Sequence, residues 1–375
     1  MNIIKVKGEV LNMKFYRISS VIALLFFIKC GVLSNSKIDL FFGMLFGISP
    51  FLFFIKKEFN NLPLSTTIIF ASIFFSYPMS IILNNFTAGF FTLPMVLASF
   101  GISYVFILER DFFKIIYSIL LMILVVFFYN IIVLNESANN IFVGSRNLKS
   151  IMFLGVSVFY MILNPDKRKN ILISFLVFLA CLFSVGSSGI ISSFLLLLFT
   201  IMDGFNHFNK VIFWFFILIT IILLIYSYTF YFADFSDELL FKLSFERLFF
   251  EDIRFEIWLE YYNKYMKGIN FFIGAPFDFK FTLIFNGNYE DFSNLHSSYL
   301  NMHAKTGIFS LFVVLGILIR FYKLLVIKPY YAGLFFVLLL RSYSDTAYIL
   351  DGSFNFSFFI FFLPNRVLFN NNLPK

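Results

Sequence analysis

The chain has 375 residues, of which 60% are hydrophobic and 13% charged, with a formal net charge of +8. An average soluble domain is about 25% charged, so a water-exposed globular fold is excluded. The basic residues are scattered among short segments and form no continuous stripe, which argues against a nucleic-acid surface.

A helix that crosses a bilayer needs about 20 mostly apolar residues. Twelve segments qualify: 15–33, 38–55, 64–83, 87–108, 112–134, 150–163, 171–186, 189–202, 211–232, 304–320, 329–340 and 353–369. The expected fold is all-α, a polytopic membrane protein of about twelve transmembrane helices forming one membrane domain over residues 1–375. A basic lead and an apolar run without a small-residue cleavage pattern read as a retained first helix. Residues 171–202 carry no charge and are too long for one upright crossing. Lys167, Arg168 and Lys169 before them and Lys210 after them favour a hairpin, with Ser187-Ser188-Gly189 as its turn.

Twelve crossings put both termini on one side. Short loops on that side hold 17 Lys and Arg, among them Lys56, Lys57, Lys167, Arg320 and Arg366. Those on the other side hold 5: Lys29, Lys37, Arg146, Lys149 and Arg341. The asymmetry places the termini in the cytoplasm and the long loop, residues 234–302 between the ninth and tenth spans, outside. Phe is abundant, at 62 residues, and in lipid it is nearly interchangeable with Leu.

Catalytic polar groups are tolerated in a membrane protein only where water or protein surrounds them, so the site is expected in the long loop. That loop holds 11 acidic and 6 basic residues. Cys30 and Cys181 fall inside spans, so no disulfide framework supports it. Phe245, Leu248, Phe249, Ile253, Ile257, Tyr261 and Tyr265 recur at intervals of one to four, predicting an amphipathic helix over 244–267. Such a helix would lie on the bilayer surface or across the bundle mouth. Arg247 and Arg254 are two turns apart on it, with Trp258 one turn further on. Residues 271–276 break the pattern, and the run 277–294 is aromatic, polar and expected to be irregular. A second helix is expected to begin near His296 and run into the span at Ala304, placing His296, Leu300 and His303 on one side.

His296 is the sharpest candidate, because imidazole can take a proton from a hydroxyl near neutral pH; a histidine capping a helix explains the pattern equally well. His303 fits an interface residue and His207 a cytoplasmic turn. His296 and His303 are separated by seven residues with no third ligand at helical spacing, so no metal is expected. Arg254 and Arg247 can clamp phosphate oxygens in a forked geometry, or form solvated salt bridges with the loop carboxylates. Arg146 and Arg341 stand at the outer ends of spans, where charged residues face the bundle interior or a wet cavity. Arg341 and Asp345 at i, i+4 form a possible structural pair.

About twelve spans, a large loop after the ninth, Arg254-Phe255-Glu256-Ile257-Trp258, Phe272-Ile273-Gly274, and His296-Ser297-Ser298-Tyr299-Leu300 followed by Gly307 together resemble the O-antigen polymerase and O-antigen ligase superfamily of bacterial envelope enzymes. The likeness covers the second half by motif and the first half mainly by topology. It implies glycan transfer from undecaprenyl diphosphate at the periplasmic face of the inner membrane without metal or cofactor. It carries His296 over as the loop histidine and Arg254 as the loop arginine. The chain departs from the pattern at Ser297, where many members have Asn, and at Ser188, where an arginine is usual; Arg146 is then the substitute for holding diphosphate.

The resulting expectation is an O-antigen or related polysaccharide polymerase. His296 and Arg254 are its catalytic residues, and Arg247, Arg146, Arg341, Trp258 and Tyr299 contact diphosphate or glycan. Its partners are the lipid-linked oligosaccharide, membrane lipid and a chain-length regulator protein, with no nucleic acid. A ligase that moves finished polymer onto lipid A-core is the nearest alternative. A lipid-linked oligosaccharide transporter is the next, disfavoured because charge crowds into one loop and no duplicated halves are visible.

Overall fold

The computed structural model describes residues 2–34, 36–83, 92–142, 146–184, 187–204, 252–276, 279–285, 288–292, 295–343, 345–350 and 354–369. The predicted span 211–232 and Arg247 lie outside them.

In chain order the helices are α1 (Asn2–Lys29, ending in a wider π turn, Cys30–Ser34), α2 (Lys37–Glu58), α3 (Leu64–Leu83), α4 (Thr92–Leu108), α5 (Phe113–Ile132), a single turn α6 (Ala138–Ile141), α7 (Arg146–Leu163), α8 (Lys167–Ser184) and α9 (Ser187–Gly204). The loop region contributes α10 (Asp252–Tyr265), α11 (Gly268–Ile273), strands β1 (Phe281–Phe285) and β2 (Asn288–Phe292), and α12 (Ser298–Thr306). Helices α13 (Phe309–Ile327), α14 (Pro329–Tyr343), α15 (Asn355–Phe359) and α16 (Asn365–Leu368) complete the chain.

Why these helices need a bilayer is clearest in α5. Ile116, Leu120, Ile123, Leu124 and Phe127 recur at helical spacing and are buried. The opposite face carries Met122, Val125, Val126 and Tyr129, equally apolar yet exposed. A helix hydrophobic all round with one uncovered face belongs in lipid. Among the described residues, four helices are long and apolar enough to cross a membrane: Met13–Ser34, Lys37–Asn61, Phe113–Ile132 and Phe309–Ile327. Shorter apolar helices run over Leu64–Pro78, Thr92–Leu108, Leu148–Leu163 and Ser188–Gly204. The chain is a membrane protein with several candidate helical spans.

Helices α1, α2 and α4 pack as one group, and α7, α8, α9 and α14 as another. Within the first, Gly101 of α4 lies so close to the Pro50–Phe51 backbone of α2 that any Cβ would collide with it. Such close approach through a small residue is how membrane helices gain packing without a hydrophobic driving force. Residues 171–202 do fall on two helices, α8 and α9, as the flanking charges imply, but Ser187-Ser188-Gly189, expected as the turn, is the first turn of α9.

Three expectations are corrected. The predicted span 353–369 is no single helix: α15 passes through a 3₁₀ turn, Ile360–Phe362, and ends before Pro364, after which α16 makes one more turn. Proline cannot supply the N–H that a continuing helix needs, and this segment is buried from Phe354 through Leu363. Arg320 is no loop cation either. It sits within α13, completely buried, where its guanidinium donates to the carbonyls of Phe361 and Leu363 and to Asn365 Oδ1. Carbonyls at the helix break are thereby satisfied, as buried backbone groups must be. Lastly, the region read as irregular between 277 and 294 holds an antiparallel hairpin, with Phe281 opposite Phe292 and Phe285 opposite Asn288. The fold is helical with this one small sheet among the described residues.

Candidate functional site

The site is built where α12, α10 and the segment 345–350 meet. The expected helix from His296 into the span at Ala304 is replaced by two shorter ones. Helix α12 starts at Ser298 and stops at Gly307, whose φ of +55° is left-handed, and α13 follows from Phe309. His296 precedes α12, with a φ of +47°; histidine is among the residues enriched in that region. The turn separates the ring of His296 from the helix face and sends it toward Asp345.

His296 Nδ1 stands 3.8 Å from Asp345 Oδ1, and Arg341 Nη2 stands 3.5 Å from Asp345 Oδ2. The first is an ion-pair distance, and in the second the guanidinium donates a long hydrogen bond to the carboxylate. One carboxylate thus lies between the candidate base and a guanidinium. Asp345 is held in turn by its surroundings: the Thr346 N–H donates to Oδ1 at 3.0 Å, and its main-chain carbonyl accepts from the N–H and Oγ of Ser298 at 3.1 and 3.0 Å. Ser298 Oγ accepts the Ala347 N–H at 2.8 Å. The first turn of α12 is therefore stitched to the segment beyond α14.

Burial differs within the cluster in a useful way. The His296 side chain is 32% exposed, Asp345 10% and Arg341 0%. Only the imidazole is open to a reactant, and the charges behind it are sequestered. Arg341 Nε donates to Ser150 Oγ at 3.1 Å, which ties the cluster to α7. Next to Ser150, Lys149 is buried as well. Lys305 of α12 is buried too, and its Nζ donates to the Leu350 carbonyl at 3.2 Å. Two buried cations, Arg341 and Lys305, thus contact segment 345–350. Of the buried carboxylates among the described residues, Asp39 pairs with Lys29 and Glu58 with Arg366, and Asp345 pairs with Arg341 at the site. Buried intramembrane charges of this kind mark functional positions by default.

Helix α10 closes the loop side. Ile257, Tyr261 and Tyr265 recur every four residues and are buried against Leu295, Ala275, Phe279 and Ala304. Trp258 donates its indole N–H to the Leu295 carbonyl at 2.7 Å and meets the Tyr343 ring edge-on. A residue predicted for glycan contact thus braces the residue preceding His296. Tyr299 donates its hydroxyl to the Leu339 carbonyl at 3.2 Å, tying α12 to α14; burial raises its pKa above the usual tyrosine value.

His303 is corrected from an interface residue to a buried one. Its Nε2–H donates to the Phe271 carbonyl at 3.1 Å, and Nδ1 accepts from the Tyr261 hydroxyl at 2.7 Å. Burial lowers its pKa, opposed in part by the Phe271 carbonyl, and burial followed by Tyr265 raises that of Tyr261. Both stay neutral and lock α10, α11 and α12 together. Gly274 and Gly307 complete the lock. Each has a left-handed φ, and a Cβ on Gly307 would strike the Phe272 carbonyl. Ala275 N–H donates to the Ala304 carbonyl at 2.9 Å, and Ile308 N–H to that of Phe272 at 3.2 Å.

The structure therefore brings His296, Arg341, Trp258 and Tyr299 into one region, with Asp345 and Lys305 added to them. The backbone of Arg254 lies in the first turn of α10, one turn before Trp258, and Arg146 opens α7, three residues before Lys149. Their side chains, like all of Arg247, lie outside the description. No group of three or more His, Cys, Asp or Glu side chains is placed to hold a metal ion among the described residues. Comparison with known protein families, curated proteins and solved structures returned no match.

Proposed function

We propose that this chain is an envelope polysaccharide polymerase that joins lipid-diphosphate-linked repeat units, with the long loop facing the periplasm and both termini in the cytoplasm. The observation that carries the reading is the partly exposed His296 backed by Asp345 and the buried Arg341, with the buried Lys305 on the same segment. In the proposed step the imidazole takes the proton of an acceptor-sugar hydroxyl. The oxygen attacks the anomeric carbon of the lipid-linked chain, and that carbon's bond to the diphosphate oxygen breaks. The electron pair leaves with undecaprenyl diphosphate.

Each part of the cluster has a physical counterpart in this step. A departing diphosphate needs fixed positive charge where negative charge develops. Arginine supplies it in forked form and stays charged. Asp345 holds the imidazole and stabilises the imidazolium, as a carboxylate partner does in other base-assisted transfers. A lipid-linked substrate stays in the bilayer while its sugar projects, which suits a site at helix ends. Arg254, Arg247 and Arg146 are proposed to add to the diphosphate contacts.

The test is genetic. Deletion of this chain, and replacement of it by His296→Ala, should leave single repeat units on the lipopolysaccharide while the protein remains in the membrane. Absence of any repeat unit would instead indicate ligation to lipid A-core. Full-length polymer in the variant would end the proposal.

A further inference from the structure

A second polar cavity lies at the opposite ends of α7 and α14 from the His296 cluster. It has a volume of about 190 Å³ and is lined by Asn164, Lys167, Asp203, Lys328, Tyr330 and Tyr331. Lys167 Nζ donates to the main-chain carbonyl of Asp203 at 2.8 Å and stands 3.4 Å from its carboxylate. Lys328 Nζ sits 4.0 Å over the Tyr331 ring. Two ammonium groups against one carboxylate leave these walls with a positive balance. Met161, Ile162 and Leu163 at the end of α7 also line it, and the Ile162 carbonyl accepts the Tyr331 hydroxyl at 3.3 Å.

We propose that this cavity holds the phosphate headgroup of an anionic phospholipid. Basic pockets between membrane helices are where such headgroups bind. A water molecule's share of liquid volume is about 30 Å³, so the space fits a phosphoglycerol group. It falls below the roughly 300 Å³ at which sites for larger organic ligands begin, which disfavours a nucleotide or sugar nucleotide. The position at helix ends puts it level with the headgroup layer, and lysines reach that layer while their stems stay on apolar surface. That position is what favours lipid over free phosphate. This inference needs only that α7 and α14 cross a bilayer, so it stands or falls separately from the polymerase reading.

Native mass spectrometry of the full-length chain in detergent tests it, with phosphatidylglycerol, phosphatidylcholine and glycerol phosphate offered at matched concentration. The wild-type chain should retain phosphatidylglycerol in preference to phosphatidylcholine. Lys328→Gln should lower phosphatidylglycerol occupancy about fivefold, the effect of one lysine near an anionic surface, and Lys328→Arg should restore it. Equal retention of the two lipids by the wild type would overturn the proposal without recourse to any variant. So would undiminished phosphatidylglycerol on Lys328→Gln, or glycerol phosphate binding as well as the lipid does.

Discussion

Tyr261→Phe isolates the hydrogen bond that locks the loop over the site. The phenyl ring keeps the edge-on contacts with His303, at 5.9 Å and 85°, and with Phe279, at 6.3 Å, so no cavity opens. What disappears is the hydroxyl that donates to His303 Nδ1 at 2.7 Å. Tyr261 and His303 are both buried, and a buried acceptor deprived of its donor costs about 1–3 kcal/mol. Local opening of α10 against α12 should therefore rise about five- to 150-fold, at about 1.4 kcal/mol per factor of ten. Acid should act on the same joint. Burial holds the folded-state pKa of His303 below its ordinary value, so the folded loop binds fewer protons than the open one. Its stability is then complete above about pH 6.5 and is lost as the pH falls from there through the folded-state pKa. Hydrogen–deuterium exchange of peptides spanning Asp252–Tyr265 and Ser298–Thr306, corrected for intrinsic rates, reads both effects. Unchanged exchange in Tyr261→Phe, or protection that grows on acidification, would refute the reasoning.

Gly307→Ala forces a side chain into a left-handed backbone, at a cost of about 1–2 kcal/mol, and against the Phe272 carbonyl; a lowered melting temperature and faster cleavage of the loop by protease should follow. Arg320→Met removes the donor to the Phe361 and Leu363 carbonyls and Asn365 Oδ1. At about 1–3 kcal/mol for each buried acceptor left unsatisfied, the loss should be about 3 kcal/mol or more, seen as reduced thermal stability in detergent. Asp345→Asn keeps the main-chain carbonyl that Ser298 uses but deletes the charge between Arg341 and His296. Breaking a buried pair costs about 3–5 kcal/mol, with the low end expected here because Arg341 also holds Ser150. Polymer length should collapse in this variant while Asp345→Glu recovers part of it.

How much of this was legible depends on the signal each element leaves. The long apolar helices were readable from composition alone: the run 64–83 coincides with Leu64–Leu83, and 112–134 brackets Phe113–Ile132. The four-residue recurrence of Ile257, Tyr261 and Tyr265 identified the buried face of α10. Arg341 and Asp345 stood out as an i, i+4 pair. What stayed hidden were contacts across sequence distance. Nothing local to His296 shows that Asp345 lies beside it, because the left-handed turn that sets its direction depends on packing. Arg320 looked like a loop charge because its partners, the Phe361 and Leu363 carbonyls and the Asn365 side chain, lie more than a full span away in sequence. His303 resembled an interface residue for the same reason, as its two partners come from α10 and α11. The hairpin, by contrast, was signalled: Asn286-Gly287 between its strands is the strongest short-range hairpin pair, outweighed by the aromatic and polar mixture around it.

The central claim is that His296 serves as the base for glycosyl transfer from a lipid diphosphate. Its most direct test is a reconstituted reaction of the purified chain in proteoliposomes with a lipid-linked repeat unit, wild type against His296→Ala and His296→Gln. The wild type should extend the repeat and release undecaprenyl diphosphate, and both variants should bind the lipid yet form no new glycosidic bond. Polymer made by either variant at the wild-type rate would contradict the claim.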